Sequence, residues 1–289
     1  MATRFLLDAP SLVYRAFFAL PKTMTDPRGQ SINAVRGFMD MTTTLIVQRR
    51  PDSVTCVFDA DWRPRFRVDV YPAYKAERAE DPPELPPQFD IIGEVLDAAG
   101  VVRAEAAGLE ADDVIGAMAQ AVPDPERAVV VTGDRDLLCL VRDPQVRLLF
   151  PVKGTKEMKE FDEAAVEAAY GIPPRLYPEF AMLRGDSSDG LPGVPGVGPK
   201  TAVTLLKTFG SIDGIYSHLD DLSPKQRDLF EASRDYLDKM RTVVGLRYDA
   251  AIEATEPHPP DEDELKELGE RYNLGSSIGR LLQALKGER

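Results

Sequence analysis

Nine acids in this chain stand where they could serve a single chemistry. They are Asp8, Asp59, Glu110, Asp112, Asp113, Asp134, Asp136, Asp186 and Asp189. Asp8, Asp59, Asp134 and Asp136 fall at or just past the ends of short apolar runs. Glu110, Asp112 and Asp113 open a helical stretch, and Asp186 and Asp189 lie in the turn Gly185-Asp186-Ser187-Ser188-Asp189. Taken singly, an acid at a helix start needs only a local explanation, because it caps free N–H groups and complements the dipole. Gathered together, so many carboxylates repel one another unless cations neutralise them. The donors are all hard oxygens. His218 and His258 lie outside every motif, and Cys56 and Cys139 sit inside apolar runs. That set favours Mg²⁺ or Mn²⁺ over zinc. Two such ions about 4 Å apart clamp a phosphodiester, activate the attacking water and stabilise the developing charge.

Two further stretches could handle a nucleic acid. Gly193-Val194-Pro195-Gly196-Val197-Gly198-Pro199-Lys200 is a glycine-rich hairpin that opens a helix. Glycines let backbone N–H groups approach a phosphate, and a helix N-terminus adds partial positive charge. Pro199 suits the first helical position, and Lys200 adds a full charge. The plainer reading is an ordinary turn before a helix. The segment from Trp62 to Arg78 carries Arg63, Arg65, Arg67, Lys75 and Arg78 against Asp69 and Glu77, a local +3 in a chain of −13. Trp62, Phe66, Tyr71 and Tyr74 are interleaved, which suits a single strand whose phosphates want cations and whose bases want stacking faces. A solvated loop with tucked-in aromatics is the alternative.

The elements that must hold these groups can be read from periodicity. Arg4–Asp8, Ser53–Asp59, Val101–Ala104, Ala128–Thr132 and Val146–Phe150 read as strands. Helical patterns separate them: Asn33–Arg50 with Asn33 as cap, Gln88–Ala99, a helix from Glu110, and one from Leu137. The alternation predicts a doubly wound α/β domain with a mainly parallel sheet. In such a sheet the strand C-termini share one edge, where ligands bind. After Phe161 the strands stop, and helices are expected over Asp162–Tyr170, Leu176–Leu183, Pro199–Phe209, Ser211–Leu219, Ser223–Glu231 and Arg234–Val243. Two amphipathic helices come after a Pro-rich joint at Glu256–Asp261. The 289 residues are 43% hydrophobic, enough for a large core, and no run approaches a membrane span. An N-terminus that turns acidic early does not read as a signal peptide, and buried reduced thiols point to the cytoplasm. Net charge −13 argues against a general polyanion binder, unless the acids gather around cations.

Taken jointly, LLDAPSLVYRAFFAL, VFDA, YPAYKAER, GLEADDVIG, TGDRDLL and GDSSDGLPGVPGVGPKTA resemble the 5′ nuclease (flap endonuclease) family, closest to the N-terminal 5′→3′ exonuclease domain of bacterial DNA polymerase I. The resemblance covers nearly the whole chain and implies a stand-alone 5′ nuclease. It implies a PIN-like α/β fold with a helical arch at about 62–87, within a nuclease domain at 1–175. A helix-hairpin-helix unit is expected at 176–245, and C-terminal helices at 246–289 packing back on the core. Asp8, Asp59, Glu110 and Asp112 match a first metal cluster. Asp134, Asp136, Asp186 and Asp189 match a second, with Asp113 as a further acid and a third ion left open. Lys75 and Arg78 match arch-base cations that act on the scissile phosphate, and Arg67 is expected to bind phosphate beside them. Tyr14 and Arg15 match the 5′ strand entrance. Gly193, Gly196, Gly198 and Lys200 match the duplex-gripping hairpin, which in the family often holds K⁺.

The implied activity is two-metal hydrolysis of DNA at 5′ ends, flaps, nicks and gaps, with RNA primers left open. A monomer in the nucleoid is implied, linked in function to a polymerase and a ligase. Two other classes remain at this point. A non-catalytic structure-specific DNA-binding module predicts metal-independent binding without cleavage. An aspartyl-phosphate phosphohydrolase needs an Asp nucleophile, usually within D-x-D after the first strand. Here Ala9 and Pro10 come directly after Asp8.

Overall fold

The apolar runs pair into one sheet, seen in a computed structural model that describes residues 2–153 and 157–287. Strand β1 (Thr3–Asp8) lies at its centre, between β2 (Ser53–Val57) and β4 (Arg127–Val131). Outside these lie β3 (Val102–Glu105) and β5 (Val146–Lys153), all parallel. Two antiparallel strands close the edges: β6 (Glu157–Phe161) beside β5, and β7 (Glu253–Ala254) beside β3. The order is β6-β5-β4-β1-β2-β3-β7.

Neither edge strand is legible in the sequence pattern. β6 alternates weakly and is mostly exposed, and β7 has two residues, so neither carries the apolar run that marks a buried strand.

Side-chain alternation along β1 sorts the two layers. Phe5 and Leu7 face a cluster built with α1 (Ala9–Ala19), α2 (Asn33–Arg49) and α4 (Pro86–Ala98). The last two helices, α12 (Glu262–Arg271) and α13 (Gly275–Leu285), add Leu265, Leu268, Ile278 and Leu281 to that cluster. Leu6 faces the opposite layer, where α5 (Ala111–Gln120) packs.

That second layer runs unbroken into the helical part. It comprises α6 (Glu163–Tyr170), α7 (Tyr177–Arg184), α8 (Pro199–Phe209), α9 (Ile212–Ser217), α10 (Pro224–Ala232) and α11 (Arg234–Val244). Tyr177, Phe180, Leu206, Ile215, Phe230 and Met240 belong to the same apolar cluster as Leu6, Val57 and Leu148. The helical unit therefore leans on the sheet through shared core.

The expected arch is mostly turn. Between residues 62 and 85 α3 (Arg65–Val70) is the one helix, Pro72, Pro82 and Pro83 interrupt the chain beyond it, and α4 begins at Pro86. The helix expected from Leu137 is a single 3₁₀ stretch, Asp136–Leu140.

Asn33 also differs from its expected role. Its amide donates to the carbonyls of Phe17 and Leu20, closing the end of α1, while Gln88 Oε1 accepts from the N–H groups of Ala34 and Val35 at the start of α2. Among the described residues no helix is long and apolar enough to cross a membrane.

Candidate active site

The parallel strands deliver acids to one edge. Asp8 ends β1 and caps α1, its carboxylate accepting from Ser11 N. Asp59 lies two residues past β2 and accepts from Ala111 N at the start of α5. Glu110 is the N-cap of α5, in a reciprocal box with Asp113, and Asp112 lies in the first turn. Asp134 and Asp136 lie just past β4, with Asp134 Oδ1 accepting from Asp136 N at 2.8 Å. Asp186 and Asp189 come from the turn after α7. One cleft is lined by Glu110, Asp112, Asp136, Asp186 and Asp189 together with Tyr74 and Tyr177.

The charges feel one another. Burial pushes Asp8 up to about 7; the Thr132 hydrogen bond opposes the rise and the Asp134 charge adds to it. Burial, then repulsion from Asp134, Asp8 and Glu110, holds Asp112 well above the usual carboxylate range. Asp136 rises for the same first reason, with Asp134, Asp186 and Asp189 contributing. Burial also raises Asp59 and Asp134. Partly withdrawn from solvent, like-charged and made only of hard oxygen donors, this group fits divalent cations of the Mg²⁺ or Mn²⁺ type.

Protein partners occupy several of the acids. Lys75 Nζ donates to Glu110 Oε1 and to the Trp62 carbonyl, and the Tyr74 hydroxyl donates to Glu110 Oε2 at 2.8 Å. Arg78 pairs with Asp189 at 2.7 Å. Ser188 donates to Asp186 Oδ1 from both its N–H and its hydroxyl. Among the described residues, accordingly, no three Asp, Glu, His or Cys side chains already close on one point as a metal shell.

The arch base and the acidic turn are fitted to each other. Lys75 has φ +53°, and its N–H donates to the Asp189 carbonyl at 3.0 Å. Gly190 has φ +74°, and a Cβ there would lie 2.7 Å from the Ala73 carbonyl oxygen.

Arg67 and Asp113 stand apart from their expected roles. Arg67 is 2% exposed. Its Nη1 donates to Glu110 and Asp113, its Nη2 to Asp113 and the Gly245 carbonyl, and its Nε to the Val243 carbonyl. All five N–H groups of the guanidinium are thus engaged, which leaves none for a phosphate. Asp113 is fully buried and also accepts from the N–H groups of Glu110 and Arg247. Its oxygens are committed to protein donors. Residue type and position suit both to a site role; the partners that enclose them lie far along the chain.

Of the two residues expected at a strand entrance, Tyr14 donates its hydroxyl to Asp81 at 2.5 Å and is 36% exposed. Arg15 Nη2 donates to the Val152 carbonyl at 2.9 Å. In the hairpin the glycines divide. Gly193 is buried, its N–H donates to the Tyr236 hydroxyl, and a Cβ would lie 2.5 Å from Gly185 N. Gly196, Gly198 and Lys200 are exposed, and a Cβ on either of these glycines would meet nothing within 4 Å.

This split is testable. Gly193→Ala is expected to lower the melting temperature by several degrees. Gly198→Ala is expected to leave melting within about 1 °C and to weaken duplex binding alone. Equal melting losses in the two variants would contradict the division.

Some site groups carry no strong signal in the sequence. Thr132 donates to Asp8 at 2.5 Å and accepts from Asp134 N, and the Ser11 hydroxyl accepts from Gly133 N. Arg184 lies 3.5 Å from Asp186 and over the Phe180 ring. Thr132, which opens TGDRDLL, and Arg184 each precede a Gly-Asp pair, the one signal that could have marked them.

A parallel sheet with acids at its C-terminal edge, joined to a glycine-hairpin helical unit, is the build of a PIN-like nuclease. Two family descriptions match consecutive stretches: the 5′-3′ exonuclease N-terminal resolvase-like domain over residues 3–171, and the 5′-3′ exonuclease C-terminal SAM fold over 172–263. The chain belongs to the 5′-3′ exonuclease family, and with that membership it is a nuclease, a phosphodiester hydrolase.

It is 43% identical to a 5′-3′ exonuclease of Streptomyces coelicolor, over 97% of this chain and 99% of that one. DNA polymerase I of Mycobacterium tuberculosis is 41% identical over 98% of this chain and 32% of its own length. Among solved structures, a bacteriophage T5 flap endonuclease, described as a pseudo-enzyme–product complex with DNA and metal ions, superposes with TM-score 0.70 at 17% identity, covering 98% of this chain and 99% of that one. The catalytic core of Rad2 with a DNA substrate gives 0.64 at 17%, covering 99% and 92%. At that identity these two bear on the fold.

Proposed function

We propose that this nuclease is a structure-specific 5′→3′ exonuclease and flap endonuclease that cuts DNA with two divalent ions. The observation that carries the reading is the meeting of acids from β1, β2, β4, α5 and the post-α7 turn, with Lys75 and Arg78 seated against them. Asp8, Asp59, Glu110 and Asp112 would hold one ion; Asp134, Asp136, Asp186 and Asp189 would hold the other. Mg²⁺ or Mn²⁺ bound there supplies water activation and neutralises charge at the scissile phosphate.

The chain's own groups do the rest. Lys75 and Arg78 present positive charge to the transferring phosphate. Thr132 and Ser11 keep the strand-end acids oriented. Tyr14, partly exposed beside Arg78, offers a ring face to the 5′ strand. The open face of the hairpin, Gly196 to Lys200, takes the duplex backbone and a K⁺ ion without reading sequence. The products carry a 5′-phosphate. The T5 and Rad2 complexes with DNA support this substrate class, and the polymerase I relatives support a functional link to a polymerase, with a ligase completing the repair. The enzyme acts as a monomer in the nucleoid.

The test is cleavage of a 5′-labelled flap duplex in Mg²⁺, Mn²⁺ or EDTA, beside Asp134→Asn. Cutting near the junction that needs metal and disappears in Asp134→Asn is the expected result. Tight flap binding without cutting in any metal would replace it with a binding module.

A further inference from the structure

We propose that Arg67 is the joint through which the helical unit positions the metal-site carboxylate Glu110, and is not a phosphate ligand. Three pieces of the fold meet at its guanidinium. The side chain leaves α3, on the arch segment. Its Nη1 donates to Glu110 Oε2 at 2.5 Å and to Asp113 Oδ2 at 2.8 Å, at the N-terminus of α5. Its Nε and Nη2 donate to the carbonyls of Val243 and Gly245, at 2.9 and 3.2 Å. Those carbonyls are at the C-terminus of α11, where a helix leaves acceptors without partners and carries partial negative charge.

The planar fork is what makes this possible. One rigid group with five donors spans two carboxylates and two carbonyls, which a lysine ammonium cannot do. Asp113 completes the joint: Nη2 donates to its Oδ1 at 2.7 Å, and Arg247 N, just beyond α11, donates to the same oxygen at 2.9 Å. Phe66 closes it from outside, with Arg67 at 4.8 Å and Arg247 at 5.2 Å from its ring centre. Glu110 Oε2 is thereby held from the helical-unit side, while Oε1 faces Lys75. Partners that orient a ligating carboxylate typically change metal affinity 10–100-fold when removed.

This inference rests on the proposed metal site, and its test reads metal binding separately from cleavage. Mn²⁺ alone is titrated into Arg67→Lys and wild type by calorimetry, and flap-duplex affinity is measured in EDTA. Mn²⁺ binding is expected to weaken about 10–100-fold. The turnover number is expected to fall by a similar factor with KM little changed, and duplex affinity to stay within about threefold. In Arg67→Ala, methylguanidinium is expected to restore Mn²⁺ binding and methylammonium is not. Unchanged Mn²⁺ affinity would overturn the proposal, as would duplex affinity that falls while Mn²⁺ affinity holds.

Should the variants fail to fold, wild type suffices: exchange of the Arg247 amide is expected to slow on Mn²⁺ binding, and unaltered exchange overturns the joint. Failure of the functional reading looks different, since wild type would then bind Mn²⁺ through Glu110 without cutting any flap.

Discussion

Asp112→Asn is expected to cut a 5′ flap about 1,000-fold more slowly than wild type, about 4 kcal/mol in the activation barrier, and yet to melt several degrees higher without metal at pH 8. Both effects come from one cause. Asp112 is half-buried beside Asp134, Asp8 and Glu110, and loss of solvent together with their repulsion raises it well above 3.8. A folded-state value above the unfolded one means that the folded protein holds the extra proton. Stability is then full below the unfolded value and is lost as pH rises through the folded one. For Asp8, pushed from 3.8 to about 7, that window runs from about pH 4 to pH 7; Asp112 loses its share as pH rises through its own raised value.

An amide has no charge to repel, so Asp112→Asn escapes the loss. At pH 5 the two proteins are expected to melt close together, and at pH 8 the variant melts higher. Mn²⁺ is expected to raise wild-type melting more than that of the variant, because the cation removes the same repulsion. Thermal scans at the two pH values, with and without Mn²⁺, check this. A variant that melts lower at pH 8 would mean the acids are compensated within the protein.

Lys75→Ala is expected to lower the turnover number about 100- to 1,000-fold, the range for losing one preorganised donor at a reacting oxyanion, with KM changed little. Lys75 is 8% exposed and seated on Glu110, and its N–H is tied to Asp189. It therefore links the start of α5 at Glu110 to the acidic turn at Asp189. Arg78, paired with Asp189 and more exposed, is expected to show a smaller loss on replacement by Ala. Single-turnover cleavage of a flap duplex under saturating enzyme separates this from binding. A Lys75→Ala protein that turns over normally but binds flaps weakly would reassign the residue to strand capture.

What the chain determines by itself is where the chemistry lies. Short apolar runs ending in Asp8, Asp59 and Asp134 become parallel strands, and parallel strands put their C-termini on one edge. Local pattern is enough for that, because burial on both faces demands continuous apolar runs. Helices α8, α10 and α11 are equally readable from Gly, Ser and Pro signals at their starts.

Tertiary structure decided which of the marked residues are free to act. Arg67 and Asp113 have the right types in the right places, but carbonyls of Val243 and Gly245 and the N–H of Arg247 enclose them. Gly193 and Gly198 look alike in the hairpin; the backbone of Leu183, Arg184 and Gly185 packed against Gly193, and its φ of +73°, separate them. Asn33 closes the helix before it rather than its own. In each case a polar or backbone group meets a partner that the chain brings to it by folding back, and spacing along a sequence carries no record of which group arrives.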